Sequence, residues 1–140
     1  MMGSIILAAA VKRLLPVQIL FSWFLLLRGH AFPGGGFSGG LLAAEALALY
    51  AIAEGPRACR ARLRVDPPVL MALGLALALA GGAVSLWYGE PFLSHPWHLA
   101  VPVPLLGELS LGTALVFDIG VYLVVVGASL GFLLNLQEIR

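Results

Sequence analysis

The chain has 140 residues and a formal net charge of +1, with 61% hydrophobic residues and only 11% charged residues. Soluble domains carry about a quarter charged residues, so this composition excludes a water-soluble globule and predicts an integral membrane protein. The basic residues form no stripe interleaved with aromatics, which excludes a nucleic-acid partner. The one cysteine, Cys59, excludes an internal disulfide.

Four apolar runs predict four membrane-crossing helices, because about 20 apolar residues span the hydrocarbon core. In chain order they cover about residues 14–27, or 5–27 if the apolar start continues the same helix, then 36–53, 69–87 and 109–134. Pro67 and Pro68 fit the start of the third helix, where a missing N–H costs little. We therefore predict an all-α fold, a single membrane domain over residues 1–140 built as a bundle of four transmembrane helices.

The distribution of basic residues predicts the orientation of these helices. The connector "EGPRACRARLRVDPP" between the second and third helices is the most basic segment of the chain, and loops of this kind stay in the cytoplasm. Alternation then places Arg28 alone on the outer side and the remaining basic residues inside: Lys12, Arg13, Arg57, Arg60, Arg62, Arg64 and Arg140. We expect a multi-pass protein of the cell membrane with both termini cytoplasmic.

The glycine-rich stretch "RGHAFPGGGFSGG", residues 28–40, separates the first two helices. Non-helical backbone at membrane depth is tolerated only against protein or water, so the stretch predicts an outer turn or a packed re-entrant loop. The GxxxG spacings of residues 35 with 39, 36 with 40, and 127 with 131 predict close helix packing. The structural motif comprises Arg28, Gly29, Pro33, Gly34, Gly35, Gly36, Gly39 and Gly40.

Two carboxyl groups fall inside predicted helices. Asp118 lies nine residues after Leu109, about 14 Å deep and near the midplane, and Glu45 lies nine residues after Gly36. A charged side chain at a helix centre costs about 2.5 to 3.5 kcal/mol on insertion scales, so such residues face protein, water or a partner. Both are candidates for an ion pathway. A structural hydrogen bond to a neighbouring helix or subunit is the alternative for Asp118, and a structural use is favoured for Glu45.

Two further residues complete the set of ion-pathway candidates. Tyr122 follows Asp118 by one turn on the same helix face, and with Ser129 it extends a polar seam that a partner could contact. His30 changes charge near neutral pH and can relay protons. Its alternative role is to pin the glycine turn by hydrogen bonding, because many backbone groups there need partners.

Two segments of the chain resemble a known family. The stretch "LLLRGHAFPGGGFSGGLLAA" is similar to the signature of the MnhB (MrpB) family, the B-type subunit of the Mrp-type multisubunit cation/proton antiporter. The segment "FDIGVYLVVVGASL" resembles the closing helix of that family. The resemblance implies membership of a Na⁺/H⁺ antiporter complex, with other antiporter subunits as partners and sodium ions and protons as transported species. Glu45 stands where the family pattern is apolar, so the resemblance assigns it no role.

Two other assignments remain open at this point. Related subunits occur in ion-pumping membrane-bound hydrogenases, and the motifs do not separate the two settings. The chain could also be a scaffold subunit that holds larger proteins together and never contacts the ion. The segment "GFSG", residues 36–39, matches the GxSG nucleophile pattern of rhomboid intramembrane serine proteases, but the predicted spans contain no histidine that could activate the serine. We therefore expect no enzymatic activity, no catalytic residue, no metal and no cofactor, with membrane lipid and companion subunits as the partners.

Overall fold

The computed structural model describes residues 4–28, 35–91, 98–103 and 107–139. The long helices are α1 (Ile5–Arg28), α2 (Gly36–Glu54), α4 (Pro67–Trp87) and α5 (Thr113–Ile139), and a short helix α3 (Pro56–Leu63) precedes α4. Strands β1 (His98–Val103) and β2 (Gly107–Gly112) lie between α4 and α5. Four segments are helical, long and apolar enough to cross a membrane, which confirms the predicted fold class of a four-span helical membrane protein.

The arginine-rich connector contains a helix that the sequence analysis did not predict. Gly55, at φ +98°, separates α2 from α3 in a conformation that favours glycine. Arg64 ends α3 in the left-handed region, with φ +63°. Pro67 then begins α4, two residues earlier than predicted, because proline suits the first helical position.

The fourth membrane helix begins at Thr113, so the predicted start at residue 109 is wrong. Residues 107–112 instead form β2, which pairs antiparallel with β1 from His98 opposite Gly112 to Val103 opposite Gly107. The sequence "GELSLG" alternates polar and apolar residues, which is the period of a strand rather than a helix. This alternation is short and directly precedes an apolar helix, so residues 109–112 were assigned to that helix.

The four long helices lie in a row rather than in a closed ring. α2 packs against α1 on one side and α5 on the other, and α4 packs against α5. The main apolar core fills the half of the row nearest α3. Its buried residues are Val11, Leu15, Ala43, Ala46, Leu47, Tyr50, Ala51, Cys59, Val126, Leu130 and Leu134.

Two ion pairs define the end of the row that carries α3, here called the connector end. Nζ of Lys12 lies 3.1 Å from Oε1 of Glu54, and Nε of Arg60 lies 2.8 Å from Oε1 of Glu138. They join the beginning of α1 to the end of α2, and α3 to the end of α5. The opposite end, here called the hairpin end, holds the end of α1, the starts of α2 and α5, and the antiparallel pair of strands β1 and β2.

Candidate functional site

Asp118 lies near the hairpin end. It is five residues after the start of α5 at Thr113, about 7.5 Å along the helix, so the predicted distance of nine residues from the helix start is wrong. The error follows from the start of α5, because residues 109–112 belong to β2. A Cβ at Gly36, the first residue of α2, would collide with the backbone oxygen of Asp118. Asp118 itself is half-buried.

Tyr122 connects α5 to α1 through a hydrogen bond. Its hydroxyl lies 2.8 Å from Oγ of Ser22, and Oγ of Ser22 lies 2.6 Å from the carbonyl oxygen of Ile19. A serine hydroxyl has one hydrogen. Because Ser22 donates it to Ile19, Tyr122 must donate to Ser22. Ser22 is fully buried, so this pair is a polar contact enclosed between helices.

Glycines on α2 allow this contact to form. A Cβ at Gly39 would lie 2.6 Å from the carbonyl oxygen of Ser22 and 3.4 Å from Cδ2 of Tyr122. A Cβ at Gly40 would lie 2.9 Å from Cβ of Val125 on α5. Any larger residue at either position would push α2 away from its neighbours. Gly36 and Gly40 therefore face α5, whereas Gly39 faces α1 and the ring of Tyr122.

The structure describes the residues at both ends of the glycine motif. Gly35 has φ +103°, and its N–H donates to the carbonyl oxygen of Leu25 at 2.9 Å. This bond ties the start of α2 to the last turn of α1 and satisfies a helix-end carbonyl. The guanidinium carbon of Arg28 lies 5.6 Å from the ring centroid of Phe24, within cation–π range. The other motif residues, Gly29, Pro33 and Gly34, and the ion-pathway candidate His30 lie outside the described residues.

Glu45 is not part of the Asp118–Tyr122 site. It is exposed and lies in a separate groove between α2 and α5 with a volume of about 400 Å³. The other residues lining this groove are Leu41, Ala44, Ala48, Ser129, Phe132 and Leu133. Of the four predicted ion-pathway residues, the structure brings Asp118 and Tyr122 onto one helix face and leaves Glu45 apart from them.

Ser22, the hydrogen-bond partner of Tyr122, was not predicted from the sequence. A signal was present, since Ser22 is a small polar residue within the apolar run that closes α1. It has no motif around it, and only the packing of α2 between α1 and α5 shows what it contacts. Within the described residues, no three His, Cys, Asp or Glu side chains group closely enough to hold a metal ion.

The connector end carries a polar cluster of its own. The guanidinium of Arg60 donates to both carboxylate oxygens of Glu138 and to Oδ1 of Asn135. Cys59 in α3 is fully buried, and burial raises the pKa of its thiol. The hydrogen bonds of Arg60 fix α3 against α5.

Comparison with known proteins matches the chain to antiporter subunits. It is 39% identical over 136 residues to the B subunit of the Na⁺/H⁺ antiporter of Bacillus subtilis, covering 97% of this chain and 94% of that protein. It is 38% identical over 122 residues to the B subunit of the Na⁺/H⁺ antiporter of Alkalihalophilus pseudofirmus, covering 87% of this chain and 84% of that protein. The A/B subunit of a probable K⁺/H⁺ antiporter of Rhizobium meliloti is 38% identical over 95% of this chain, which spans only 13% of that longer protein.

A solved structure gives the same result for the fold. The structure of the Mrp complex from Dietzia sp. DQ12-45-1b matches 95% of this chain with a TM-score of 0.76 and 30% identity. This chain spans 14% of the matched chain. The four apolar helices and these relatives show a multi-pass protein of the cell membrane.

The predicted resemblance is confirmed by a family model that covers most of the chain. That model is described as a domain related to the MnhB subunit of Na⁺/H⁺ antiporter, and it matches residues 6–131. The matched range includes the glycine motif, the Ser22–Tyr122 contact and Asp118. The chain belongs to the MnhB family.

Proposed function

We propose that this protein is a non-catalytic membrane subunit of a multisubunit cation/proton antiporter that exchanges cytoplasmic sodium for external protons. The observation that carries the proposal is the match of nearly the whole chain to a single antiporter subunit in Bacillus subtilis. The structural similarity to the Mrp complex supports it. Its partners are the other antiporter subunits, surrounding lipid, and the transported sodium ions and protons.

The arrangement of helices supports a role within a larger assembly. Helices in a row leave both faces of the row open, whereas transporters that act alone place discontinuous helices around a midplane site. In the described part of the chain, the half nearest the connector end is filled mainly by leucine, alanine and valine side chains. Such a core offers no polar lining for an ion. A complete route therefore needs groups from other subunits.

The Asp118–Tyr122 face is the part of this protein proposed to lie beside the ion route. Asp118 is a half-buried carboxyl group near the hairpin end of a membrane helix, and acids in such positions commonly serve ion or proton transfer. Tyr122 lies one turn deeper and is held by Ser22. His30, two residues after α1 ends at Arg28 in the sequence, is proposed as a titrating group on the same route.

The connector end is proposed to face the cytoplasm, with both termini on the same side. Lys12, Glu54, Arg60 and Glu138 meet at that end, and the remaining arginines of α3 lie with them. An excess of Lys and Arg marks cytoplasmic loops. The whole chain then forms a single membrane domain.

The experiment is a paired measurement of assembly and antiport in cells that lack their own copy of this gene. Inverted membrane vesicles are energised, and a pH-sensitive dye reports proton movement on addition of Na⁺ or, separately, K⁺. Asp118→Asn and His30→Ala are compared with wild type and with Glu90→Gln, an exposed control. We expect both variants to assemble normally and to lose antiport at least severalfold, while the control retains it.

Two results would change the assignment. Full antiport in both variants at normal assembly would restrict this protein to a scaffold role. Co-purification of the wild-type chain with nickel–iron hydrogenase subunits, rather than with antiporter subunits, would place it in the related hydrogenase complex.

A further inference from the structure

Glu45 lies at the midpoint of α2. It is nine residues from Gly36 and nine residues from Glu54, the two ends of the helix. Its side chain is exposed, and no described side chain donates a hydrogen bond to its carboxylate. By contrast, Glu54 and Glu138 each pair with a basic residue at the connector end. Glu45 is therefore an acid at membrane depth that the described part of this chain does not itself satisfy.

The surface around Glu45 has the shape of a helix-binding groove. Ala44 and Ala48 lie one turn apart beside Glu45 on the groove floor, where Ala44 is 3% exposed, so no large side chain on this floor keeps a second helix away. Ser129 adds a hydroxyl from α5. The walls are large apolar side chains that protrude from the row, with Phe132 70% exposed and Leu41 44% exposed.

Lipid alone is a poor occupant of this groove. Acidic side chains in membrane helices face protein or a water-filled cavity and pair with donors, because acyl chains provide none. In the Rhizobium relative, the region similar to this chain is one part of a much longer A/B chain. A domain that is covalently joined to another in one protein is commonly its neighbour in a complex of separate subunits. Both observations favour protein, rather than lipid, on an exposed face of the row.

We propose that the Glu45 groove is the docking surface for a transmembrane helix of another antiporter subunit, and that this helix places a basic or hydrogen-bond-donating side chain on Glu45. This inference rests on the proposed function, since it assumes companion antiporter subunits. The small residues set the approach distance, and the carboxylate selects the partner. A partner helix that has no hydrogen-bond donor opposite Glu45 leaves the carboxylate unsatisfied. The contact therefore contributes to specificity as well as to affinity.

Photo-crosslinking in the assembled complex tests which molecule covers the groove. A photoreactive amino acid replaces Leu41 or Phe132 in the groove and, as a matched control, Leu73 on α4, which is 53% exposed. We expect both groove positions to crosslink to a peptide of another antiporter subunit, identified by mass spectrometry, at several times the yield from Leu73. Crosslinks only to lipid, or only to a second copy of this chain, would overturn the proposal.

Substitution of Glu45 tests the role of the carboxylate. Glu45→Leu makes α2 more apolar and keeps it able to insert, and Glu45→Gln keeps a hydrogen-bond acceptor. We expect Glu45→Leu to reduce retention of this chain in the detergent-extracted complex at least threefold, with Glu45→Gln closer to wild type and the control Glu90→Gln unchanged. Retention of Glu45→Leu at the wild-type level would overturn the proposal.

The controls separate this inference from the proposed function. Wild-type chain that purifies with antiporter subunits supports the proposed function whatever occupies the groove. Wild-type chain that purifies without them contradicts the proposed function before any variant is made. Membrane levels of each variant are measured by immunoblot, so that loss from the complex is not confused with loss of the chain.

Discussion

The hydroxyl of Tyr122 donates to Oγ of Ser22 across 2.8 Å, joining α5 to α1 between residues that are 100 positions apart in the sequence. α2 lies between these helices, and Gly39 provides the space for the contact. The bond thus depends on three helices at once. It ties α1, at the edge of the row, to α2 and α5. It lies one turn further along α5 than Asp118.

Tyr122→Phe is expected to lower stability modestly. The ring that fills the space beside Gly39 remains, while Ser22 keeps its bond to Ile19 and loses only the incoming donor. Interhelical hydrogen bonds in membranes contribute on average about 0.6 kcal/mol, so we expect a fall of a few degrees or less in the melting temperature of the purified complex.

Ser22→Ala is expected to destabilise the complex more than Tyr122→Phe does. It leaves the Tyr122 hydroxyl buried without its acceptor, and an unsatisfied buried group costs about 1 to 3 kcal/mol. We expect a larger fall in melting temperature than for Tyr122→Phe, and the double variant should be no worse than Ser22→Ala. Tyr88→Phe, at an exposed tyrosine, is the control. Additive losses in the double variant would show that the two hydroxyls do not act together.

Gly120→Ala is expected to separate α4 from α5. A Cβ at this position would lie 2.5 Å from the carbonyl oxygen of Gly74 and 2.5 Å from the backbone nitrogen of Ala78. Backbone atoms on both helices must shift, and overpacking of this kind costs about 1 to 3 kcal/mol. The measurement is the melting temperature of the complex together with the amount of chain in the membrane.

Gly131→Ala on the same helix is the matched control for that variant. The nearest atom to its new Cβ would be Cβ of Pro67 at 3.3 Å, which requires only a small adjustment. We expect Gly131→Ala to remain close to wild type. Equal losses for the two alanines would contradict the close approach at Gly120.

The sequence predicted the spanning helices because they are long and their apolar residues are nearly continuous. It also predicted a close-packed role for glycines of α2 from their spacing. The position of Asp118 was wrong because four residues of a strand, 109–112, were assigned to the helix that follows them. The alternation of polar and apolar residues in β2 covers only six residues, which is a weak signal next to the 27 residues of α5.

Other features depend on distant parts of the chain and could not be predicted locally. Ser22 and Tyr122 become partners only because α1 and α5 both pack on α2. The row order, with α5 between α2 and α4, leaves Glu45 on an open face, which no helical periodicity in α2 alone could indicate. Cys59 lies in a polar connector, yet it is fully buried, with its Sγ 3.5 Å from the carbonyl oxygen of Leu47 on α2.

The burial of Cys59 determines how the orientation must be measured. Its thiol is fully enclosed and its pKa is raised by burial. Because the thiolate is the nucleophile that attacks thiol reagents, the native cysteine reacts poorly on either side of the membrane. New cysteines at exposed positions, in a Cys59→Ala background, provide the reporters. Arg57→Cys marks the connector end, and Tyr88→Cys marks the hairpin end.

Labelling of these two cysteines with a membrane-impermeant maleimide tests the central claim, that the four spans place the arginine-rich connector inside the cell. In intact cells we predict labelling of Tyr88→Cys and none of Arg57→Cys, with the reverse in inverted vesicles. Labelling of Arg57→Cys in intact cells, or of both cysteines from the same side, would contradict the four-span orientation and the functional assignment that depends on it.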